Sequence, residues 1–344
     1  RALGFRNTPL GSDLAEAVAL AQRQNERVAA ARLGRPASPV AGTVAAVIRD
    51  YSKDETFTGK AEATRKGYRQ VLTAIERDHG TTAMASITRK ELVDLLKEIG
   101  RDRGLRTARE FRKLWSILLS FAQNAGLRPD NPILGYRQPK PAARRQVWSP
   151  DQVAAVCEAA RAAGKPSVAL AVLLAYWTSQ RLTDVLVMPW TAIAGNAIRL
   201  TQSKGGAVVA IPIAPDLRRE LQRARQVAQK AKRESGPVVV NDVTGAPYIM
   251  TTFNHDFAAA RAAAGVSKDL WFRDLRRTAL TEASSGGATV PQMRAMSGHK
   301  TVSQLSDYVV PTTEAAAGAM RARNKGRSKV AKEGRRKVAT RKAR

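Results

Sequence analysis

The stretch Trp271-Phe272-Arg273-Asp274-Leu275-Arg276-Arg277-Thr278 decides how the fold and chemistry of this 344-residue chain are interpreted. With Ser297-Gly298-His299 and Tyr308 downstream, it supplies a cluster of guanidiniums, one imidazole and one phenol. The apolar spacing predicts a helix, a tight turn and a second helix between these groups. Such side chains suit a reaction in which a tyrosine attacks a phosphodiester while fixed cations stabilise the charge that develops on the phosphate.

The composition indicates a globular protein with a polyanionic partner. The chain is long enough for two domains, and 44% hydrophobic residues are enough for their cores. The formal net charge is +29, of which residues 1–324 carry +20, because the last twenty residues contain ten basic residues and one acid. Nucleic acid is the expected polyanion, with a membrane surface as the alternative. The longest strongly apolar run, Val168–Trp177, is about half of a bilayer span, and no leader segment is visible.

Cysteine and histidine usage excludes several other chemistries. The single cysteine, Cys157, excludes an intrachain disulfide, and its apolar neighbours favour a buried core residue over a reactive thiol. A reducing, cytoplasmic setting fits this usage. Because His79, His255 and His299 lack the spacing of metal ligands, we predict no zinc site, and nothing in the sequence indicates another cofactor.

Breaks in the apolar pattern divide the chain into five segments. Residues 1–38 contain one predicted helix, Asp13–Arg32, which we interpret as the remnant of an amino-terminal module or a connector. Residues 40–127 predict a helical bundle, and the proline-rich residues 128–148 predict an interdomain linker. Residues 149–324 predict a second domain, followed by a basic tail, 325–344, that we expect to be disordered until it meets DNA. The bundle helices are predicted at Thr43–Ser52, Lys60–His79, Thr88–Gly100 and Thr107–Ala125.

Basic residues on two faces of the bundle and in the linker are candidates for phosphate contact. A charged helix face is most often only solvated. Two basic faces in one net-positive bundle nevertheless favour DNA contact more than usual, so both interpretations stay open. The candidates for DNA binding are Arg65, Arg69, Arg109, Lys113, Arg144 and Arg145.

The second domain is predicted to begin with helices. Ser149-Pro150-Asp151-Gln152 is typical of a helix start. The following helix, Pro166–Trp177, is so apolar that it must be buried nearly all round. Arg181 lies just beyond it and close to Asp184 in sequence. This arginine is therefore either a structural ion pair or a cation placed for a ligand.

A small amount of β-structure is predicted after these helices. Alternation over Ala197–Gln202 and Val208–Ile213 predicts a hairpin with Lys204 near its turn, although turn lysines are usually only solvated. Val238–Val240 predicts a further short strand, and Thr252 is predicted to cap a helix that runs to Ala264. The predicted fold class is thus mainly α, with a small β-hairpin or sheet.

Gly298 is predicted to turn the chain after a helix that starts at Pro291, and so to present His299. The end of that helix should favour the protonated form of His299. After Tyr308, Thr313–Arg323 predicts a small alanine-rich helix that is too short and too weakly apolar to stand alone.

Four motifs occur in a specific order along the second domain. Each is weak alone, but together they resemble the tyrosine recombinases, and the phage-type integrases in particular. Residues 149–324 resemble the catalytic domain of that family, and residues 40–127 look like its helical core-binding domain. The motifs are Thr178-Ser179-Gln180-Arg181 with Asp184, Gln202-Ser203-Lys204-Gly205 in a hairpin ending in Ile211-Pro212, Asp274-Leu275-Arg276-Arg277-Thr278, and Ser297-Gly298-His299 with Tyr308.

The resemblance implies a role for each of five residues. Tyr308 is the nucleophile, Arg181 and Arg276 clamp the scissile phosphate, Lys204 is the general acid and His299 donates to the phosphate. The implied reaction integrates or excises a mobile element through a 3′-phosphotyrosyl intermediate, without metal or other cofactor. The implied partners are double-stranded attachment-site DNA, a homotetramer on DNA in which the segment after Tyr308 packs on a neighbour, and accessory DNA-bending proteins, in a bacterial or phage setting.

One departure from the family's pattern concerns Arg273, which occupies the usual place of a histidine. An arginine cannot act as a base near neutral pH, so proton removal from Tyr308 would have to fall to His299, water or the phosphate itself. Arg273 could still donate to the phosphate, and the resemblance includes integrases of this kind. Two alternatives stay open, a catalytically inactive DNA-binding protein on the same scaffold and a relaxing topoisomerase of related chemistry.

Overall fold

The computed structural model describes residues 18, 39–306, 308–310, 312–313, 316–318, 320–321 and 323. The chain divides into two compact units, residues 1–142 and 143–344. Within the described residues, helices dominate and one small antiparallel sheet is present. The predicted class, mainly helical with a small hairpin, is therefore confirmed. None of the helices in the described part of the chain is both long and apolar enough to cross a membrane.

The described part of the first unit is a helical bundle. Its core is centred on Leu114, Trp115 and Leu118, which are almost completely buried. The prediction that the third helix ends at Gly100 was wrong, because the chain leaves the helix only at Gly104, where a φ of 86° suits glycine. The helices are α1 (Val44–Lys53), α2 (Glu55–Thr58), α3 (Glu62–His79), α4 (Arg89–Arg103) and α5 (Leu105–Asn124), with a 3₁₀ turn at Met84–Ser86.

The segment 128–148 contains no helix or strand and is mostly exposed, but residues near both of its ends are buried. Ile133 is fully buried in the core of the first unit, and Arg128 donates hydrogen bonds to backbone carbonyls there. At the other end, Trp148 is buried in the second unit, where its backbone N–H donates to Thr278 Oγ1. Each end of the predicted linker thus belongs to a different one of the two compact units.

The second unit is built around one buried helix. Its elements are α6 (Pro150–Ala162), α7 (Pro166–Thr178), α8 (Leu182–Leu186), β1 (Ile193–Ala194), β2 (Ala197–Thr201), β3 (Val208–Pro212), α9 (Pro215–Lys230), α10 (Met250–Ala263), α11 (Asp274–Ser285), α12 (Val290–Ser297) and α13 (Val302–Ser306). Helix α7 is apolar on every face and is buried over nearly its whole length, as its sequence predicts. Helix α10 begins at Met250, two residues before the predicted cap at Thr252.

The three strands form an antiparallel sheet in the order β1-β2-β3. Ile198 of β2 lies opposite Ile211 of β3, and both side chains are buried. The further strand expected at Val238–Val240 was wrong, because only isolated bridges occur there, between Pro189 and Pro237 and between Val240 and Pro247. Each bridge contains a proline, which has no N–H with which to extend a ladder.

Some predictions fall on residues that the structure does not describe. The helix expected at Asp13–Arg32 lies outside the described residues apart from Val18, and the basic tail 325–344 lies outside them entirely. The described residues between 313 and 323 are mostly helical.

Candidate active site

Tyr308 lies half-buried against helix α11. Its backbone N–H donates to Leu305 O at 2.9 Å, and its carbonyl accepts a long hydrogen bond of 3.5 Å from Thr281 Oγ1. The side chain packs against a small apolar cluster that includes Leu280 and Met293. Helix α11 and the end of α13 thus position the phenol.

Three nitrogen-bearing side chains surround the Tyr308 ring. The His299 ring centre lies 4.8 Å from the phenol ring centre. The guanidinium carbons of Arg276 and Arg277 lie 5.6 Å and 5.4 Å from it. The structure therefore brings the predicted nucleophile together with two of its predicted partners, and adds Arg277.

Arg276 is the most deeply buried cation of the site, 3% exposed. Its Nη1 donates to Ser179 O at 2.5 Å and its Nη2 to Ser297 O at 2.8 Å. The Nε–H has no acceptor among the described residues, and a buried donor without a partner calls for an explanation. Burial and the neighbouring Arg181 lower the pKa of Arg276 to about 10, so its guanidinium stays charged at neutral pH.

His299 is held in one neutral tautomer. The Ser297 hydroxyl donates to Met293 O at 2.7 Å, so its oxygen accepts from His299 Nδ1 at 2.8 Å. The other nitrogen, Nε2, then accepts from Arg276 Nη2 at 3.1 Å. This assignment uses every donor and acceptor of the imidazole.

The expectation of a protonated His299 was wrong. Burial, then the charges of Arg276 and Arg181, lower the pKa of His299 to about 4. A helix C-terminus stabilises a cation by only about 0.3–1 kcal/mol, whereas each pKa unit corresponds to about 1.4 kcal/mol. Lost hydration and two nearby guanidiniums therefore outweigh the helix end.

Arg181 is delivered by the turn that follows α7. Ser179 in this turn takes a left-handed conformation with φ of 56°. The Arg181 side chain is 27% exposed, with Nη1 3.2 Å from Gln202 Oε1 and 3.8 Å from Asp184 Oδ2. The buried Asp184 also accepts from the Ser203 backbone N–H at 2.8 Å. One carboxylate thus ties the arginine to the start of the β2–β3 turn.

Lys204 is held differently from the other predicted catalytic residues. It lies exposed in the β2–β3 turn and makes no hydrogen bond or ion pair with the described residues. Gly205 and Gly206 have φ of 90° and 66°, so the tight turn depends on them. The Lys300 side chain lies beside this turn, 3.7 Å from where a side chain on Gly205 would begin. None of the described residues therefore engages the Lys204 ammonium.

Arg273 and Arg144 meet on the exposed Trp271. Their guanidinium carbons lie 4.0 Å and 4.3 Å from its ring centre. Arg144 Nε also donates to both oxygens of the buried Asp274, at 2.8 Å and 3.0 Å, and this pairing raises the pKa of Arg144. Arg144 therefore anchors its segment to the start of α11, whereas Arg145 beside it is exposed. A DNA contact by either arginine, and a catalytic role for Arg273, remain predictions.

The basic residues predicted to contact DNA in the bundle already have partners or partial cover. Arg65 and Arg69 both pair with Glu62 at the start of α3. The Lys113 ammonium lies 4.8 Å from the Tyr68 ring centre, and Arg109 is half-buried. The two ion pairs with Glu62 lie at the surface, where such a pair contributes at most about 1 kcal/mol. A phosphate can therefore compete for Arg65 and Arg69.

Gln202 is the buried residue of the site whose importance the sequence analysis missed. It is 2% exposed and bonds to Gln180 and Arg181 in the turn after α7 and to Ser297 at the end of α12. Its position offered a signal, because it follows Ile198 and Leu200 at the two-residue spacing of an inward-facing row. A glutamine that continues an apolar row indicates a buried polar network.

Comparisons with known proteins bear on this site and its fold. The phage integrase family model matches residues 146–314. A lambda integrase (75–356) dimer bound to a core site superposes with a TM-score of 0.69 at 23% identity, over 77% of this chain and 95% of that one. A lambda integrase tetramer bound to a Holliday junction gives 0.69 at 22% identity, over 88% and 89%. The Tn1549 transposon integrase with circular intermediate DNA gives 0.67 at 14% identity, over 81% and 99%. At these identities the structural likeness establishes the fold, and no curated protein sequence matches this chain.

Proposed function

Because this chain belongs, through residues 146–314, to the phage integrase family of tyrosine recombinases, we propose that Tyr308 cleaves and rejoins DNA in site-specific recombination. The observation that carries the proposal is the packing of a buried, charged Arg276 and a neutral His299 against the phenol ring. Reaction at a phosphate requires its charge to be neutralised, and forked guanidiniums can do this without a metal.

In the proposed cleavage step, the Tyr308 oxygen forms a bond to the scissile phosphorus as the bond to the 5′ oxygen breaks. Arg181 and Arg276 neutralise the phosphate, which also gives the unpartnered Nε–H of Arg276 an acceptor. Lys204 gives its proton to the departing 5′ oxygen. Rejoining is the reverse attack by a 5′ hydroxyl on the phosphotyrosyl bond, so the energy of the broken bond is kept and no ATP is needed.

The proton of Tyr308 needs an acceptor other than Arg273. Neutral His299 can take a proton, but in the free protein its Nε2 accepts from Arg276. A bound phosphodiester offsets the charges of Arg276 and Arg181, which raises the pKa of His299, and draws the Arg276 N–H groups to itself. We therefore assign the proton of Tyr308 to His299 or to a water beside it. Once His299 is protonated, it donates a hydrogen bond to the phosphate.

The proposed substrate is a double-stranded attachment site of a mobile element in the cytoplasm. In this proposal the bundle is the core-binding domain, with Arg65, Arg69, Arg109 and Lys113 toward the DNA backbone, and Arg145 adding a contact beside the catalytic domain. Recombination joins two duplexes, so four protomers are expected to act together. The lambda integrase tetramer on a Holliday junction supports such an assembly for a protein of this fold. Accessory DNA-bending proteins would bring distant sites together.

The direct test is incubation with an attachment-site duplex that carries a nick beside the scissile phosphate, so that the cleaved strand diffuses away. The attachment-site sequence is taken from the mobile-element boundary that lies beside the gene for this protein. Wild-type protein is expected to form a covalent DNA adduct that Tyr308→Phe does not form. No adduct from wild type, or an equal adduct from Tyr308→Phe, contradicts the proposal.

A second candidate function is a catalytically inactive DNA-binding protein on the same scaffold. The observation that favours it is Arg273, an exposed cation stacked on Trp271 where the resemblance leads one to expect a histidine. This candidate predicts tight, salt-sensitive DNA binding without cleavage or rejoining on any cognate site. Adduct formation by the wild-type protein excludes it.

A further inference from the structure

We infer that Gln202 is a positioning residue whose buried side-chain amide fixes Arg181 relative to Arg276 and His299. The inference rests on the proposed function of Tyr308. It concerns how the phosphate-binding groups are held in place before DNA arrives. Gln202 itself does not touch the reacting atoms in this account, and it acts through the groups that do.

The first line of support is the hydrogen bonding of the amide. Its Nε2 donates to Gln180 Oε1 at 2.7 Å and to Ser297 O at 2.8 Å. Its Oε1 accepts from Arg181 Nη1 at 3.2 Å. Both amide hydrogens and the amide oxygen are therefore in use, in a residue that is 2% exposed.

The orientation of the amide is dictated by its neighbours. Gln180 Nε2 donates to the carbonyls of Thr178 and Met296, at 2.9 Å and 3.1 Å, so the Gln180 oxygen must face Gln202. Exchanging the oxygen and nitrogen of Gln202 would set an oxygen against two oxygens and an N–H against the Arg181 guanidinium. Because only one orientation satisfies every group, Gln202 presents a fixed acceptor to Arg181.

The carbonyl of Ser297 joins this amide to the rest of the site. It accepts from Gln202 Nε2 and from Arg276 Nη2, each at 2.8 Å. The hydroxyl of the same serine holds His299 Nδ1 at 2.8 Å. A chain of short contacts thus runs from Arg181 through Gln202 and Ser297 to Arg276, with His299 attached.

Packing at Gly298 gives independent support. A Cβ at this position would lie 2.6 Å from Gln202 Oε1 and 2.8 Å from its Cδ, and the φ of 71° also favours glycine. The amide cannot give way cheaply, because three hydrogen bonds hold it. The turn that presents His299 is therefore shaped around the Gln202 side chain.

The competing explanation is that Gln202 only satisfies buried polar groups and stabilises the fold. Both explanations predict a lower melting temperature when the amide is removed. Only the positioning role predicts that folded variant protein binds DNA normally yet reacts slowly, and that this defect depends on Arg181.

The test uses Gln202→Met, which keeps the side-chain length and removes all three hydrogen bonds. With saturating nicked attachment-site duplex, we expect adduct formation to slow about 100-fold, the scale on which small misplacements of catalytic groups act. DNA affinity should stay close to wild type. Gln222→Met, at an exposed position of α9, is the matched control and should react like wild type.

A double-mutant cycle separates positioning from stability. In an Arg181→Ala background, Gln202→Met should slow the reaction far less than it does in wild type, because the group that it positions is absent. If the rate reductions of Gln202→Met and Arg181→Ala multiply in the double variant, the inference is overturned. If Gln202→Met does not fold, as judged by circular dichroism, Gln202→Asn makes the same test, since it keeps an amide but withdraws it from Arg181.

The outcomes also separate this inference from the proposed function. Absence of an adduct from wild-type protein sinks the proposed function. A wild-type adduct together with an unimpaired Gln202→Met variant sinks the inference alone.

Discussion

The two halves of the candidate active site differ in how they are held before DNA binds. Arg276 and His299 are buried and hydrogen-bonded to each other, and Arg276 also donates to backbone carbonyls. Lys204 lies exposed in the β2–β3 turn without a partner among the described residues. The buried half is thus in place in the free protein, whereas we expect the Lys204 ammonium, the proposed proton donor, to be engaged only when DNA binds.

The chemistry of the two cation types explains this difference. A guanidinium tolerates burial, and the pKa of Arg276 falls only to about 10. A buried lysine loses its proton far more readily, and a deprotonated amine cannot act as a general acid. Lys204 avoids burial because it lies exposed in the turn. Preassembled donors, by contrast, need no reorganisation during the reaction.

The largest effect is expected from the buried half, with Arg276→Lys. An ammonium cannot reach Ser179 O, Ser297 O and a phosphate together, so adduct formation should slow by about 1,000-fold or more. The melting temperature should also fall. The rate on a nicked duplex measures the effect, and Arg219→Lys, on the exposed face of α9, is the matched control. A loss below about 10-fold would remove the distinction between the two halves.

Lys204→Ala tests the exposed half. Adduct formation should slow by about 100- to 1,000-fold, the range of general acid catalysis, while the melting temperature stays unchanged. A bridging sulfur at the 5′ position should restore most of the rate, because a thiolate leaves without a proton. Lys230→Ala in α9 serves as the control. A lowered melting temperature would show that the Lys204 side chain contributes to the fold, and no rescue by sulfur would contradict its role as general acid.

The buried half also predicts a pH-dependent stability. The pKa of His299 is about 4 in the folded protein against 6.5 in the unfolded chain, so between these values the unfolded chain binds more protons. Stability should therefore be fully present above pH 6.5 and fall as the pH drops toward 4, by up to roughly 3 kcal/mol. Subtracting the pH profile of His299→Asn removes the contributions of Asp242 and Glu282, whose raised pKa values act in the opposite direction. Parallel unfolding profiles for the two proteins would contradict a buried, neutral His299.

The smallest effect is expected from the exposed cations of the bundle. Arg69→Gln should weaken DNA binding slightly on every sequence and reduce the slope of log affinity against log salt by about 1. The effect is small because Arg69 gives up its pairing with Glu62 when it binds a phosphate. Glu62→Gln is the companion variant and should strengthen binding. An unchanged salt slope for Arg69→Gln would remove this residue from the interface.

The elements that place the site could be predicted from local patterns. The apolar run of α7, the alternating strands around Lys204 and the glycine at 298 each leave a signature in neighbouring residues. The false strand at Val238–Val240 arose from the same reasoning, since an apolar triplet does not reveal which residues lie opposite it.

The state of the side chains could not be predicted in the same way. The neutral form of His299 depends on burial and on Arg181, which is far away in the sequence. The pairing of Arg144 with Asp274 also joins distant residues, and it gives a candidate DNA contact a structural partner. Electrostatic states of this kind follow from tertiary packing, which local periodicity does not encode.

The preassembled charge cluster is tested most directly by the NMR titration of the His299 imidazole in the free protein, assigned by comparison with His299→Asn. We predict a pKa of about 4 for His299, because burial and two guanidiniums oppose protonation, and an upward shift when an uncleaved attachment-site duplex is bound to Tyr308→Phe protein. A pKa near 6.5 in the free protein, unchanged by DNA, would contradict it, since His299 would then be solvated and remote from the arginines.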